Sequence, residues 1–259
     1  MTIPPNTSGK SALFKDHFSK DPDSYSKYRP CYPVELFLYL SSITRGHDLA
    51  WDCATGSGQS ATHLAKHFHR VIATDASSSQ LNKAHQHAAV RYTVATAEDS
   101  GIFTSSLDII TVAQALHWFD LPAFSAEVDR TLKHQGILAV WTYNLLNIRA
   151  DIDEQINYLY REVVNSYWPA ERRLVEQGYE SIDFPYPELI TPKFNMTLNW
   201  NYRQLTAYLS TWSAVKAYSS DKNKNPIDTV RAKLLKHWGN ENTELPVTWP
   251  LTVRVWKKP

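Results

Sequence analysis

Residues 49–66 read LAWDCATGSGQSATHLAK: an apolar run, a turn carrying Gly56 and Gly58, then a stretch with helical spacing. The chain of 259 residues holds only 8 Gly, so two at one turn mark a point where backbone bends sharply or comes close to a ligand. Strand, glycine turn and helix in that order open an α/β sheet, in which ligands sit beyond the carboxyl ends of the strands.

Working outward, further strands are predicted at VIATD (71–75), VRYTVA, LDIITVAQ and GILAVWTY, after the first at 48–53. Helices are expected near 60–68, from the serines after Ala76 to about Ala89, and around LPAFSAEVDRTLK, where Pro122 suits a first turn. Such alternation argues for a doubly wound, mostly parallel sheet with helices on both faces. After Asn144 the rhythm changes. DIDEQINYLYREVVNSYW reads as helix, Gln177-Gly178-Tyr179 as a turn and FPYPEL as a proline-broken aromatic loop. FNMTLNW then returns as a strand, NYRQLTAYLSTWSAVKAY as a helix, DKNKNP as a polar loop and VTWPLTVRVW as a final strand, making seven strands. Pro250 within that last strand points to an edge or a bulge. The expected organisation is a cofactor-binding core with an N-terminal lid segment at 1–145, an inserted cap at 146–193, and a return to the sheet at 194–259.

Composition excludes several function classes. Lys and Arg number 27 against 26 Asp and Glu, which gives no broad attraction to nucleic acid or acidic membranes. The start, MTIPPNTSGKSALF, lacks the pattern of a secretory signal, and no apolar segment is long enough to span a bilayer, so a cytoplasmic location is expected. Cys31 and Cys53 lack metal-ligand spacing, and His63, His67, His69, His85 and His87 do not converge, so no metal site is assigned. The 9 Trp, 14 Tyr and 9 Phe, many in the second half, suit a packed cap or a pocket lining.

Asp75 ends the second strand 19 positions after Gly56, close to the roughly 20-residue spacing of a ribose-binding carboxylate. A carboxylate can accept hydrogen bonds from both ribose hydroxyls. A dinucleotide site would carry Gly-x-Gly-x-x-Gly, whereas Ala61 stands in the last place, which disfavours a nicotinamide-dependent oxidoreductase.

WDCATGSGQ followed by VIATDAS resembles the first two motifs of class I S-adenosylmethionine-dependent methyltransferases, whose first motif usually has Gly where this chain has Ala54. TVATAEDS resembles the third motif and LDIITVAQALHWFD the fourth. SYSKYRPCYP, AQALHWF, FPYPEL and TWSAV further resemble the trans-aconitate methyltransferase-like subgroup, so the similarity spans nearly the whole chain. The resemblance implies a Rossmann-like fold and a turn of Ala54, Gly56 and Gly58 under the methionine part of the cofactor. It implies Asp75 on the ribose, Ala76, Ala97 and Glu98 near adenine with Asp99 alongside, and Gln114 and Ala115 on the methionine side. Tyr28 and Arg29 would close over the pocket, the arginine fork meeting the methionine carboxylate.

His117 and Trp118 follow the fourth strand at the end where the site belongs, and Tyr143 ends the fifth. These three are the candidate catalytic residues: His117 to position or deprotonate an acceptor, Trp118 as an apolar wall, Tyr143 to offer its hydroxyl. Trp168, Tyr186, Trp212 and Tyr218 are candidate lid residues, with packing as their competing role. Arg172 and Arg173 in the cap could attract an acidic acceptor or simply face solvent. The expected function is methyl transfer from S-adenosylmethionine to a small molecule, with a carboxylate as first acceptor and S-adenosylhomocysteine as product. The alternatives are a cofactor-binding protein without turnover that acts through interactions, and the nicotinamide-dependent oxidoreductase. Oligomeric state is left open.

Overall fold

A computed structural model describes residues 30–259; Tyr28 and Arg29 lie outside the described residues. Along the chain come α1 (Val34–Ile43), β1 (Leu49–Cys53), α2 (Gln59–Leu64), β2 (Arg70–Asp75), α3 (Ser78–Leu81), β3 (Val90–Val94), β4 (Leu107–Ala113), α4 (Leu121–Thr131) and β5 (Leu132–Tyr143). There follow α5 (Ala150–Tyr158), α6 (Arg172–Glu176), β6 (Glu188–Leu189), β7 (Phe194–Trp200), α7 (Tyr202–Ser210), α8 (Ser213–Lys222), α9 (Asp228–Trp238) and β8 (Leu245–Lys257).

The sheet runs β3-β2-β1-β4-β5-β8-β6, with β7 also paired to β8. Strands β1 to β5 are parallel, and β8 is antiparallel to β5. From β1 the chain steps outward to β2 and β3, but from β4 it steps the other way to β5. The direction therefore switches between β1 and β4, whose carboxyl ends flank the crevice where such a sheet takes its ligand. This is the Rossmann-like α/β arrangement expected from the alternation. It has eight strands rather than seven because the two-residue β6 forms within FPYPEL, against Val255 and Trp256 of β8.

Each inner strand feeds two layers of core. Leu36, Phe37 and Leu40 of α1 pack with Ala50, Ile109, Ala139 and Trp141, while Phe124 and Val128 of α4 pack with Trp51, Ile110 and Val140. Neighbours such as Ile109 and Ile110 face opposite ways because the side-chain period of a strand is two. Burial on both faces is also why these strands read as continuous apolar runs. The 146–193 segment contributes to both layers: Ile152, Ile156 and Leu159 join the first, and Val175, Tyr179 and Phe184 the second.

Four expectations need correction. The helix predicted up to Ala89 stops at Leu81, because the chain is diverted to the glycine turn, where the His85 N–H bonds to Ser57 O (3.0 Å). The helix expected over 151–168 breaks after Tyr158 into a wide π turn, Leu159–Val163, and a short 3-10 turn, Asn165–Tyr167. The helix after Trp200 divides into α7 and α8 where the Thr211 hydroxyl bonds back to Tyr208 O (2.7 Å), and α9 is an element the sequence reading left out. Finally, β8 is an inner strand despite Pro250, with β5 on one side and β6 and β7 on the other. Thr248 exchanges hydrogen bonds with Asn147, and the period of two sends the nitrogens of Pro246 and Pro250 the same way, past the end of the β5 ladder at Leu251. The edge reading is thus correct for that stretch and not for the strand.

Candidate active site

The turn after β1 carries three left-handed residues, Ala54 (φ 55°), Gly56 (φ 57°) and Gly58 (φ 81°). A Cβ on Gly58 would lie 2.2 Å from the Tyr92 hydroxyl, which itself donates to His85 O (2.6 Å). Glycine is required there. A Cβ on Gly56 would meet nothing within 4 Å, so the turn presents bare backbone to open space. Ala54, by contrast, holds a side chain in a conformation that costs L-residues roughly 1–2 kcal/mol.

Asp75, at the end of β2, is locked to this turn. Its Oδ2 accepts the Gly56 N–H and its Oδ1 the Ser77 N–H, both at 2.9 Å. Open backbone beside an oriented carboxylate fits an adenosyl cofactor, whose sugar hydroxyls are donors a carboxylate can accept. Ala76 is half-buried, Ala97 is buried, Glu98 is half-buried and Asp99 is exposed. Glu98 accepts the Asp120 N–H (3.0 Å), and Asp120 in turn caps α4, so the loop after β3 is fastened beside the same crevice.

Beneath the turn lies Asp52, a residue the sequence reading passed over. It is fully buried in β1 and accepts the hydroxyls of Thr55 (2.6 Å) and Thr111 (2.8 Å), joining the turn to β4. Burial pushes its carboxyl up to about 6, against the opposing pull of the two hydroxyls. The visible signal was an acid inside an apolar strand immediately before the turn.

At the β4 end, Gln114 also has a left-handed backbone (φ 56°). Its Oε1 accepts the Thr142 hydroxyl (2.6 Å) and the Tyr143 N–H (2.9 Å), while Nε2 donates to Tyr143 O (3.0 Å). Gln114 therefore straps the ends of β4 and β5 together; the buried Tyr143 lies in the core layer of α1, whereas Ala115 and Leu116, which opens the short 3-10 turn Leu116–Trp118, lie in the opposite layer with Tyr179, so the structure does not bring Tyr143 to His117. On that turn the His117 ring lies against Trp118 (centroids 4.6 Å), and Nδ1 is 2.8 Å from the Tyr179 hydroxyl. Burial, and to a lesser degree the nearby Arg172 charge, lowers the His117 pKa to about 3. Burial moves the Tyr179 phenol the other way, above its usual range. The imidazole is thus neutral at physiological pH and shares one hydrogen bond with the Tyr179 hydroxyl.

The two cap arginines part company: Arg173 is exposed, and Arg172 turns inward. Arg172 Nε donates to the Tyr160 hydroxyl (2.8 Å) and Nη2 to Asn144 Oδ1 (2.6 Å), with the guanidinium 5.0 Å from the Trp168 ring centroid. Trp168 and Trp212 line this cluster, whereas Tyr186 donates to Asp129 and Tyr218 packs on Tyr167. Among the described residues, no three His, Cys, Asp or Glu side chains gather as a metal site requires. Among the same residues no helix is long and apolar enough to cross a membrane.

Residues 51–140 match the family model of a methyltransferase domain. The whole chain aligns at 31% identity with the whole of a Dictyostelium discoideum protein described as a methyltransferase. A Saccharomyces cerevisiae protein described as an S-adenosylmethionine-dependent methyltransferase is 23% identical over 87% of this chain and 91% of its own. Among solved structures, one described as a type II methyltransferase from Anaeromyxobacter dehalogenans superposes with a TM-score of 0.84 at 38% identity, over 88% of this chain and 97% of that one. A relative matched from end to end, on a sheet that switches direction beside a glycine turn, shows the family: the chain belongs to the class I methyltransferases.

Proposed function

We propose that this protein transfers the methyl group of S-adenosylmethionine to a carboxylate oxygen of a small molecule by direct displacement, leaving S-adenosylhomocysteine. The observation that carries the reading is the Asp75 carboxylate held against the Gly56 N–H at the mouth of the turn. The description of the Saccharomyces cerevisiae relative supports the same donor. When bound, S-adenosylmethionine supplies a methyl group on a cationic sulfur, a leaving group that departs neutral.

The chain's own residues bind and orient. Asp75 accepts from the ribose, Ala76, Ala97 and Glu98 border the adenine, and Gln114 and Ala115 hold the methionine side; Tyr28 and Arg29 complete the closure in this reading. In this reading Trp118 walls the acceptor and Tyr143 offers it a hydroxyl, and alignment with exclusion of water carries most of the rate.

His117 supports a carboxylate acceptor. With a pKa near 3, the imidazole is a poor proton acceptor at neutral pH, and its Nδ1 is engaged by Tyr179. An acceptor already ionised at that pH needs no base. The flanking segments that resemble the trans-aconitate methyltransferase-like subgroup support the same class. Ala61 and the family match disfavour nicotinamide chemistry.

Two measurements test the proposal. Titration calorimetry should show S-adenosylhomocysteine binding at one site per chain; absence of binding defeats the donor assignment. A panel of carboxylic acids, phenols and amines with methyl-labelled donor should give label in alkali-labile esters from the acids. Label transferred only to phenols or amines overturns the acceptor class, and any acceptor-dependent product rejects the reading without turnover.

A further inference from the structure

Arg172 opens α6 and reaches back to Asn144, the residue immediately after Tyr143 at the end of β5. On the same helix, Val175 packs in one core layer with Ala115, Leu116 and Tyr179, which places α6 beside the turn after β4 rather than at the glycine turn. Both hydrogen bonds of Arg172 go to uncharged oxygens, the Tyr160 hydroxyl and the Asn144 amide. Among the described residues no carboxylate pairs with it, and Nη1 makes no hydrogen bond. Arg254 shows the contrasting, satisfied case, gripping both oxygens of Glu188 at 2.8 and 2.7 Å. Glu176, an acid of the same helix, is exposed and accepts the Tyr160 hydroxyl (2.6 Å), so it is linked to the guanidinium through that phenol.

A half-buried cation is costly to leave without a counter-charge. This one is also held in place beforehand: two hydrogen bonds fix its plane, and the rings of Trp168 and Tyr160 lie 5.0 and 5.5 Å from Cζ. A fixed planar fork with donors to spare is what carboxylate recognition uses, because little side-chain freedom remains to be lost on binding.

We infer that Arg172, framed by Asn144, Tyr160 and Trp168, is the anion anchor of the acceptor pocket and selects a carboxylate as the group presented for methylation. The inference rests on the proposed function and deepens it. A carboxylate has two oxygens, so one held by Arg172 leaves the other with lone pairs for the displacement. Arg172 is in this sense a specificity-determining residue, and no proton moves to or from it.

The test uses the full chain, with benzoate as probe and benzamide as its uncharged counterpart at matched ionic strength. The Arg172 Nε–H resonance is assigned by its loss in Arg172→Lys. Benzoate should shift it saturably in the wild type, and benzamide should not. In Arg172→Gln, benzoate binding followed at the Trp168 indole N–H should weaken at least tenfold, with S-adenosylhomocysteine binding and circular dichroism unchanged. Arg172→Lys keeps the charge and should retain part of the affinity, a partial rescue that a merely structural role would not give. No benzoate shift, equal shifts by benzamide, or undiminished binding in Arg172→Gln overturns the inference. Should S-adenosylhomocysteine fail to bind the wild type while benzoate shifts Arg172, the donor assignment falls and the anion anchor stands.

Discussion

His117 Nδ1 and the Tyr179 hydroxyl lie 2.8 Å apart across 62 residues of sequence, joining the turn after β4 to the cap segment. Burial lowers the His117 pKa to about 3, so the imidazole is neutral at physiological pH. An unfolded chain takes up that proton near pH 6.5. Above 6.5 the group is neutral in both states and adds no pH dependence. As pH falls from 6.5 toward 3, the unfolded state binds one more proton than the folded state, and stability is lost. His117→Asn should therefore lose less stability than the wild type between pH 7.5 and 4.5 in urea unfolding. Parallel pH dependence in the two proteins refutes the buried neutral state.

The same variant bears on chemistry. A general base contributes about 10²–10⁴-fold. If the acceptor is a carboxylate, His117→Asn should keep turnover within about tenfold of wild type, and wild-type kcat should be flat from about pH 6 to 9. A larger loss accompanied by a flattened profile would return His117 to the role of base.

Asp75→Ala should leave the fold intact and weaken S-adenosylhomocysteine binding. Hydrogen bonds to a charged group contribute about 1.5–3 kcal/mol each, so a loss of ten- to a hundredfold is expected in calorimetry. The Gly56 N–H also loses its partner, which should appear as faster amide exchange at the turn than in the wild type. Unchanged affinity removes Asp75 from the cofactor site.

Ala54→Gly should stabilise the protein. The φ of 55° costs alanine roughly 1–2 kcal/mol that glycine does not incur, partly offset by the greater freedom of glycine in the unfolded chain. A rise of about 2 °C in Tm is expected for a chain of this size. A fall in Tm would mean that the methyl of Ala54 makes contacts worth more than the strain.

Legibility in the sequence divides along a physical line. Strands β1, β2, β4 and β5 could be read because both of their faces are buried, and Asp75 could be read because its partnership with Gly56 is a matter of local spacing. Helix α3 could not. Propensity favours continuing through Asn82–Ala88, but the His85 bond to Ser57 and the Tyr92 bond to His85 are tertiary and end it. The π turn after Tyr158 is similarly invisible to periodicity, yet it is the turn that carries Tyr160 to Arg172. Helix α9 was readable: Val230, Leu234 and Trp238 form a buried stripe at steps of four. The Arg172 cluster was not, since it draws Asn144, Tyr160 and Trp168 from separate stretches that meet only in space.

The two prolines of β8 have a bearing on self-association. Over Pro246–Pro250 the flank turned toward β5 has run out of ladder, and a strand left open there is a template on which another chain can zip. Thr248 offers the one donor between them, and Asn147 already occupies it. With Pro246 and Pro250 unable to donate, this margin offers an incoming strand no unpaired N–H among the described residues, which disfavours fibril-like growth there, while the opposite flank is paired to β7.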